Sequence, residues 1–372
     1  MNKLKLATIV GTRPEIIKLS EVIKLADKCF EHVLIHTGQN YDYTLNEIFF
    51  EELGIPAPDY FFDAPGAHLG ETIGSIIAKS YELLQEIKPD AVLILGDTNS
   101  ALSAISAKRL KIPIFHMEAG NRCFDENLPE EVNRRMVDHI SDVNLPYTEH
   151  ARRYLLAENI KPEYIFVTGS PMPEVLRANT NKPTDVLKQL NIKAKDYFLL
   201  SAHREENIDI EENFFCLMNA INTLAEKYEK PIIYSLHPRS ETFIKKRDFK
   251  LHPLVRSMKP FGFNDYIELQ KSAYCVLSDS GTLAEESGIL GFPAVSLRTS
   301  TERPEAVDKG GFVIGGITDR EIVGAVDLAV SLRNAECPQV PDYQDFNISG
   351  KVVKIIQGYT EIVNKRIWRK LV

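Results

Sequence analysis

The chain has 372 residues, 44% of them hydrophobic and 26% charged, which is the composition of a folded protein too long for one ordinary core; two domains are expected. Its 44 basic and 52 acidic residues leave a net charge of −8, which argues against a general nucleic-acid or anionic-membrane binder and confines any anionic ligand to a locally positive site. The five cysteines (Cys29, Cys123, Cys216, Cys275, Cys337) are scattered and lack a C-x-x-C, and no apolar run approaches the length of a membrane span or leads as a signal peptide, so a reducing, cytoplasmic setting without a membrane partner is expected.

Short apolar runs alternate with amphipathic segments. Residues 4–10 read as a buried strand and 14–26 as a helix; 32–37, 91–95 and 112–116 read as further strands, with helices over 72–87 and 98–109. Helices over 131–139 and 149–157 follow, then a strand over 164–167. The rhythm breaks at Gly169-Ser170-Pro171-Met172-Pro173, and a polar stretch runs to Asp196, so a domain boundary is expected near residue 170. It restarts with strands over 197–201, 231–236, 273–278 and 294–297, separated by helices. Residues 351–371 carry Val352, Ile355, Ile356, Tyr359, Ile362, Val363 and Ile367 at helical spacing on one face. This alternation predicts an α/β fold with right-handed crossovers and parallel sheets.

Open parallel sheets bind ligands at the carboxyl ends of their strands. Four such ends carry unusual residues: Gly11-Thr12-Arg13, Gly96-Asp97-Thr98, His116-Met117-Glu118-Ala119-Gly120 and Ser278-Asp279-Ser280-Gly281-Thr282. Two doubly wound domains facing each other would bring all four to one cleft. Arg13, at a strand-to-helix turn with Pro14 and Lys18, suits a phosphate, and solvated charges on a plain turn suit the residues equally. Ser280, Gly281 and Thr282 offer hydroxyls and close backbone approach to a diphosphate, with Glu285 or Glu286 placed to accept ribose hydroxyls; an N-cap followed by helix-favouring acids is the plain alternative. Arg303 reads as a surface-loop arginine or as one more phosphate or ribose contact. Asp97, Glu118, Glu130 and Glu131 are candidates for acid–base work, with helix capping the competing role for Asp97 and helix-dipole acids for the glutamate pair. His203 and His237 follow strands of the second half, while His116 reads as orienting a turn. No spacing suits a metal, and no G-x-G-x-x-G is present for NAD.

Taken together, Gly11-Thr12-Arg13-Pro14-Glu15 with Lys18, Gly96-Asp97-Thr98, Glu118-Ala119-Gly120, Pro129-Glu130-Glu131-x-Asn133-Arg134, His203-Arg204-Glu205, Asp279-Ser280-Gly281 with Glu285-Glu286, and Thr301-Glu302-Arg303-Pro304-Glu305-Ala306 resemble the non-hydrolysing UDP-N-acetylglucosamine 2-epimerase family over nearly the whole chain. The resemblance implies a GT-B architecture: two Rossmann-like doubly wound domains, 1–170 and 171–350, with the site in the cleft between them and a C-terminal helix, 351–372, packing back on the first domain. It implies a UDP-linked N-acetylamino sugar as partner, no cofactor, and a homodimer. By position, Arg13, His203, Ser280, Gly281 and Thr282 would hold the diphosphate, Glu286 the ribose, and Arg303 would lie beside the phosphates. Tyr266 would lie by the uracil, in a stretch that matches poorly. Lys18, Asp97, Glu118 and Glu130 would surround the sugar, with the carboxylates and His203 serving the chemistry.

The C-2 hydrogen of a nucleotide sugar has no adjacent carbonyl, so inversion needs either transient oxidation or expulsion of UDP from C-1 as C-2 loses its proton. The second route needs no cofactor; it needs cations and N–H groups on the departing diphosphate and acid–base groups at both faces of C-2. One region departs from the ordinary family pattern: Asn121-Arg122-Cys123-Phe124-Asp125-Glu126-Asn127-Leu128-Pro129-Glu130. With Asp-Ser-Gly-Thr at 279–282, Gln39-Asn40-Tyr41-Asp42-Tyr43 and His139-Ile140-Ser141-Asp142, it is similar to the subgroup that epimerises UDP-2-acetamido-2,6-dideoxy-β-L-talose to UDP-N-acetyl-L-fucosamine for capsule and O-antigen. Action on UDP-N-acetylglucosamine to give UDP-N-acetylmannosamine is the neighbouring expectation; a GT-B glycosyltransferase and a UDP-sugar sensor are the more distant ones.

Overall fold

The computed structural model describes residues 3–38, 49–64, 66–179, 184–333 and 339–370; the motif at 39–43 lies outside them. The chain divides into two compact units, Met1–Ala178 with Gln344–Val372, and Asn179–Tyr343. Each is a six-stranded, all-parallel sheet with helices in the crossovers. Among the described residues no helix is long and apolar enough to cross a membrane.

In the first unit the strands are β1 (Lys5–Val10), β2 (Glu31–His36), β3 (Tyr60–Phe61), β4 (Ala91–Leu95), β5 (Ile114–Met117) and β6 (Val143–Leu145), in spatial order β3-β2-β1-β4-β5-β6. The central strands are buried on both faces, which is why β1 and β4 read as continuous apolar runs. The order reverses beside β1, a topological switch point, so the turns after β1 and β4 diverge at the carboxyl edge. The segment at 164–167 is not a strand. Pro162–Tyr164 is a 3₁₀ turn, and only Ile165 bridges to Asn144. The Phe166 and Thr168 N–H groups donate to the Asn144 and Pro146 carbonyls. The return bond would need an N–H at Pro146, which has none, so the ladder stops. The segment is apolar because Phe166 packs edge-on against Tyr359 of the C-terminal helix, their centroids 4.6 Å apart.

That helix, Ile348–Arg366, buries Ile348, Val352, Val353, Ile356 and Val363 and packs against the helix Arg13–Cys29. Ile367 falls beyond its end and is exposed. The chain leaves the first unit one helix after the break in rhythm near residue 170. The helix Met172–Asn179 belongs largely to this unit because Glu174 accepts the Ser349 N–H (2.9 Å) and hydroxyl (2.6 Å).

The second unit comprises β7 (Phe198–Ser201), β8 (Ile232–Ser235), β9 (Val255–Met258), β10 (Cys275–Ser278), β11 (Ala294–Ser296) and β12 (Val313–Ile314), in order β12-β11-β10-β7-β8-β9. Two apolar clusters cover its faces, one built on Phe198, Leu200 and the helix Glu211–Tyr228, the other on Tyr197, Leu199 and Leu283. Ser201, Ser278 and Ser296 stand in register on three adjacent strands, a small polar row at the carboxyl edge.

Candidate active site

In the first unit, the ends of β1, β4 and β5 lie side by side. Thr12 holds the N-cap position of the helix that begins at Arg13, with Pro14 in its first turn, and its hydroxyl donates to Glu15. Arg13 lies over the Phe49 ring, 5.6 Å from its centroid. Lys18 is buried; its Nζ stands 2.6 Å from Glu118 Oε2. Glu118 has φ of +64°, a left-handed conformation that costs a non-glycine residue energy and recurs at functional sites. Asn121 Nδ2 donates to Glu118 Oε1 at 3.3 Å. Gly120, also at positive φ, must lack a side chain because a Cβ there would lie 2.5 Å from the Ala151 carbonyl oxygen.

Asp97 does not cap a helix. Thr98 holds the N-cap position of the 3₁₀ turn Asn99–Ser103, and Asp97 instead pairs with Arg134 Nη2 at 2.7 Å. Arg134 also meets Glu131, which is fully buried and accepts from the Cys123 and Phe124 N–H groups. Glu131 is thus the anchor of the 121–130 segment, while Glu130, in the first turn of the helix Pro129–Ile140, is partly exposed. Arg122, 1% exposed, is held by Asp138, Glu158 and the Asn121 carbonyl, so the segment rests on a buried ionic network. His116 Nε2 meets the Gly96 carbonyl and its Nδ1 meets Asp138, as befits a turn-orienting histidine.

In the second unit, Asp279 is fully buried at the end of β10. Its Oδ2 accepts from the His203 and Arg204 N–H groups at 2.8 Å each and from Asn207 Nδ2 at 3.2 Å; its Oδ1 lies 3.2 Å from His203 Nδ1. Burial opposes the charge, but the His203 side chain and these N–H groups hold the carboxyl far below its ordinary range. Burial likewise works against a cationic His203, and the Asp279 carboxylate outweighs it, raising the imidazole above its ordinary value. The result is a histidine biased towards the cation, 41% exposed, beside the Ser280 turn. There the Ser280 and Thr282 hydroxyls lie 3.0 Å apart at the start of the helix Leu283–Leu290. A Cβ on Gly281 would meet Glu302 Oε1 at 2.5 Å. Arg303 is not a surface-loop residue; it is 1% exposed and its Nη2 lies 3.1 Å from Glu285 Oε2. Glu286 accepts from Gln270 Nε2 at 2.5 Å. Tyr266, on the helix Phe263–Ser272, has its phenol pushed up by burial and the Glu286 charge, with hydrogen bonds to Ser201 and Ser278 offsetting part of this. His237 caps the helix Pro238–Lys246 by accepting from the Arg239 N–H.

Arg13, Lys18, Asp97, Glu118 and Glu130 therefore stand at one carboxyl edge, and His203, Tyr266, Ser280, Gly281, Thr282, Glu286 and Arg303 at another. Sequence reasoning left Asp279, Arg134 and Glu15 without site roles, and it offered Glu131 for acid–base work where the structure makes it the buried acceptor of the Cys123 and Phe124 N–H groups. Thr12-x-x-Glu15 has the spacing of a capping box, a signal that could have drawn attention to Glu15. For Arg134 the signal was only its helical spacing from Glu130 and Glu131.

Two doubly wound parallel units, each with charged residues at the carboxyl ends of its strands, define an α/β protein of the GT-B class. The profile of the UDP-N-acetylglucosamine 2-epimerase family matches residues 24–357, and the chain belongs to that family; it is a UDP-sugar 2-epimerase, an isomerase. The UDP-N-acetylglucosamine 2-epimerase structure from Rickettsia bellii is 45% identical, with a TM-score of 0.92 and coverage of 99% of this chain and 100% of that one. The Methanocaldococcus jannaschii UDP-GlcNAc 2-epimerase, solved in complex with UDP-GlcNAc and UDP, is 36% identical, with a TM-score of 0.90 and coverage of 95% and 100%. The Pseudomonas aeruginosa UDP-2,3-diacetamido-2,3-dideoxy-D-glucuronate 2-epimerase is 34% identical, over 86% of this chain and 90% of that one.

Proposed function

We propose that the chain inverts C-2 of UDP-2-acetamido-2,6-dideoxy-β-L-talose to give UDP-N-acetyl-L-fucosamine, by elimination and re-addition of UDP. A carboxylate among Asp97, Glu118 and Glu130 takes the C-2 proton. The C–H electron pair becomes the C-1=C-2 double bond, and the C-1–O bond breaks with its pair leaving on UDP. His203, with Arg13, Arg303 and the Ser280–Gly281–Thr282 turn, receives the developing diphosphate charge. Glu286 takes the ribose and Tyr266 lies by the uracil. UDP then returns to C-1 as C-2 is protonated from the opposite face. The His203–Asp279 contact supports this division of labour, since the buried carboxylate biases the half-exposed imidazole towards its cationic form and a leaving group needs positive charge where its own charge develops.

The substrate choice rests on one observation: the segment that departs from the family pattern is joined, through Asn121, to Glu118, the carboxylate proposed to face the sugar. A 6-deoxy L-sugar would demand a changed wall there. The second reading, UDP-N-acetylglucosamine to UDP-N-acetylmannosamine, is favoured by the names of the Rickettsia and Methanocaldococcus relatives. Incubation of each UDP-sugar with the protein in deuterated water, followed by NMR, separates them. The talose derivative should be inverted with deuterium entering C-2 and without added cofactor. Faster inversion of UDP-N-acetylglucosamine would reverse the assignment, and turnover without deuterium would sink the elimination route. A cytoplasmic homodimer supplying a capsule or O-antigen precursor completes the reading; a sedimentation profile of monomer alone would remove the dimer.

A further inference from the structure

Glu15 follows Arg13 by two residues and is 1% exposed. Its Oε2 accepts the Gly11 N–H at 3.0 Å and the Thr12 hydroxyl at 2.7 Å. Its Oε1 accepts the Ser100 hydroxyl, and Ser100 in turn lies 2.7 Å from the Thr98 hydroxyl. One carboxyl group therefore gathers the turn after β1 and the turn after β4. The loops carry Arg13 on one side and Asp97 on the other.

The arrangement is costly. Burial raises the Glu15 pKa to about 7, and the Ser100, Thr12 and Gly11 hydrogen bonds only partly offset it. A buried carboxyl is a poor choice where stability alone is at stake, because well-packed apolar groups commonly serve as well or better. What Glu15 does provide is a link between two strand ends, one oxygen on the Gly11–Thr12 turn and the other on Ser100, within a dry interior.

We infer that Glu15, together with Ser100, is a positioning residue of the epimerase reaction, holding the turn that bears Arg13 in register with the turn that bears Asp97. The inference rests on the functional reading above, in which both turns face the substrate. A misplacement of about 1 Å between reacting groups can cost on the order of 10²-fold in rate. Glu15→Ala should therefore lower kcat by about 10²-fold, with KM and the affinity for UDP within about threefold of the parent. Glu15→Gln keeps an acceptor for Gly11 and Thr12 and offers an N–H to Ser100, so it should recover most of kcat. Ser100→Ala cuts the same link from the other side. The double variant Glu15→Ala/Ser100→Ala should be no slower than Glu15→Ala alone, the non-additivity expected of one shared link. Melting temperatures establish that each variant is folded. A folded Glu15→Ala with kcat within about twofold of the parent overturns the inference, as does a double variant whose losses simply multiply. If Glu15→Ala does not fold, a fully active Ser100→Ala overturns it. A parent protein that turns over neither UDP-sugar sinks the functional reading and this inference with it; an active parent with full-rate variants sinks this inference alone.

Discussion

Asp279 keeps its charge in a place where burial should remove it, because backbone N–H groups and an imidazole converge on it. The pair has a definite pH signature. The Asp279 contribution to stability is present above the ordinary carboxyl value of 3.8 and is lost as pH falls through its depressed folded value. The His203 contribution is fully present below its ordinary value of 6.5 and is lost as pH rises through its raised folded value. Asp279→Asn should therefore lower the melting temperature most between those two ordinary values and less at alkaline pH, as read by calorimetry across a pH series. In the same variant the His203 ring, followed by NMR, should titrate at lower pH than in the parent. Glu118 shows the other kind of residue, a strained backbone holding a carboxylate against Lys18. Glu118→Gln should cut epimerisation by about 10²–10⁴-fold, the usual worth of a general acid or base. UDP affinity by calorimetry should hold, since the proposed UDP contacts lie mostly in the second unit. Equal loss of both would mean that Glu118 binds rather than reacts. These carboxylates were visible in the sequence as acids at strand ends. Their partners were not: Arg134 reaches Asp97 from the helix Pro129–Ile140, and Asn121 reaches Glu118 only because the chain turns through positive φ at Glu118 and Gly120.

At the scale of elements, the central strands were legible and the edges were not. Lys5–Val10, Ala91–Leu95, Phe198–Ser201 and Cys275–Ser278 are shielded on both faces and spell unbroken apolar runs. The strands that sequence reasoning missed are β3, β6, β9 and β12, the outer strands of the two sheets. β3 and β12 are two residues long and largely open to solvent, β6 has Asn144 at its centre, and β9 exposes Arg256 and Ser257, so none presents the expected pattern. The opposite error at 164–167 has the same root, since an apolar run records burial and not the partner that buries it. The turn after β10 is tight in a way that spacing could not show. Gly281→Ala would drive a Cβ into Glu302, which Arg298 holds in place. About tenfold weaker UDP binding by calorimetry is expected, equivalent to about 1.4 kcal/mol, with the melting temperature little changed. Unaltered affinity would argue that this turn does not carry the diphosphate.

For the whole molecule, the first unit is completed from the far end of the chain. The helix Ile348–Arg366 buries five aliphatic side chains, each worth about 1.5–3 kcal/mol when fully covered, against a net stability of about 5–15 kcal/mol for a typical domain. Removing residues 344–372 should therefore unfold the first unit, seen as rapid proteolysis of 1–178 with the second unit persisting as a resistant fragment. A truncated chain that keeps its full cooperative transition would count against this. The α/β class, the central strands, the helical face of the C-terminus and the strand ends where charged and hydroxyl residues collect are all legible in the order of the residues, because burial and local turn geometry leave marks in neighbouring residues. The sheet edges, the burial of Arg303, the Glu131 anchor of the 121–130 segment, and the pairings Lys18–Glu118, Asp97–Arg134 and His203–Asp279 emerge only once the chain is folded. The paired residues lie far apart along the chain, and a charge shows in sequence only that it is present, never which opposite charge the fold will bring to it.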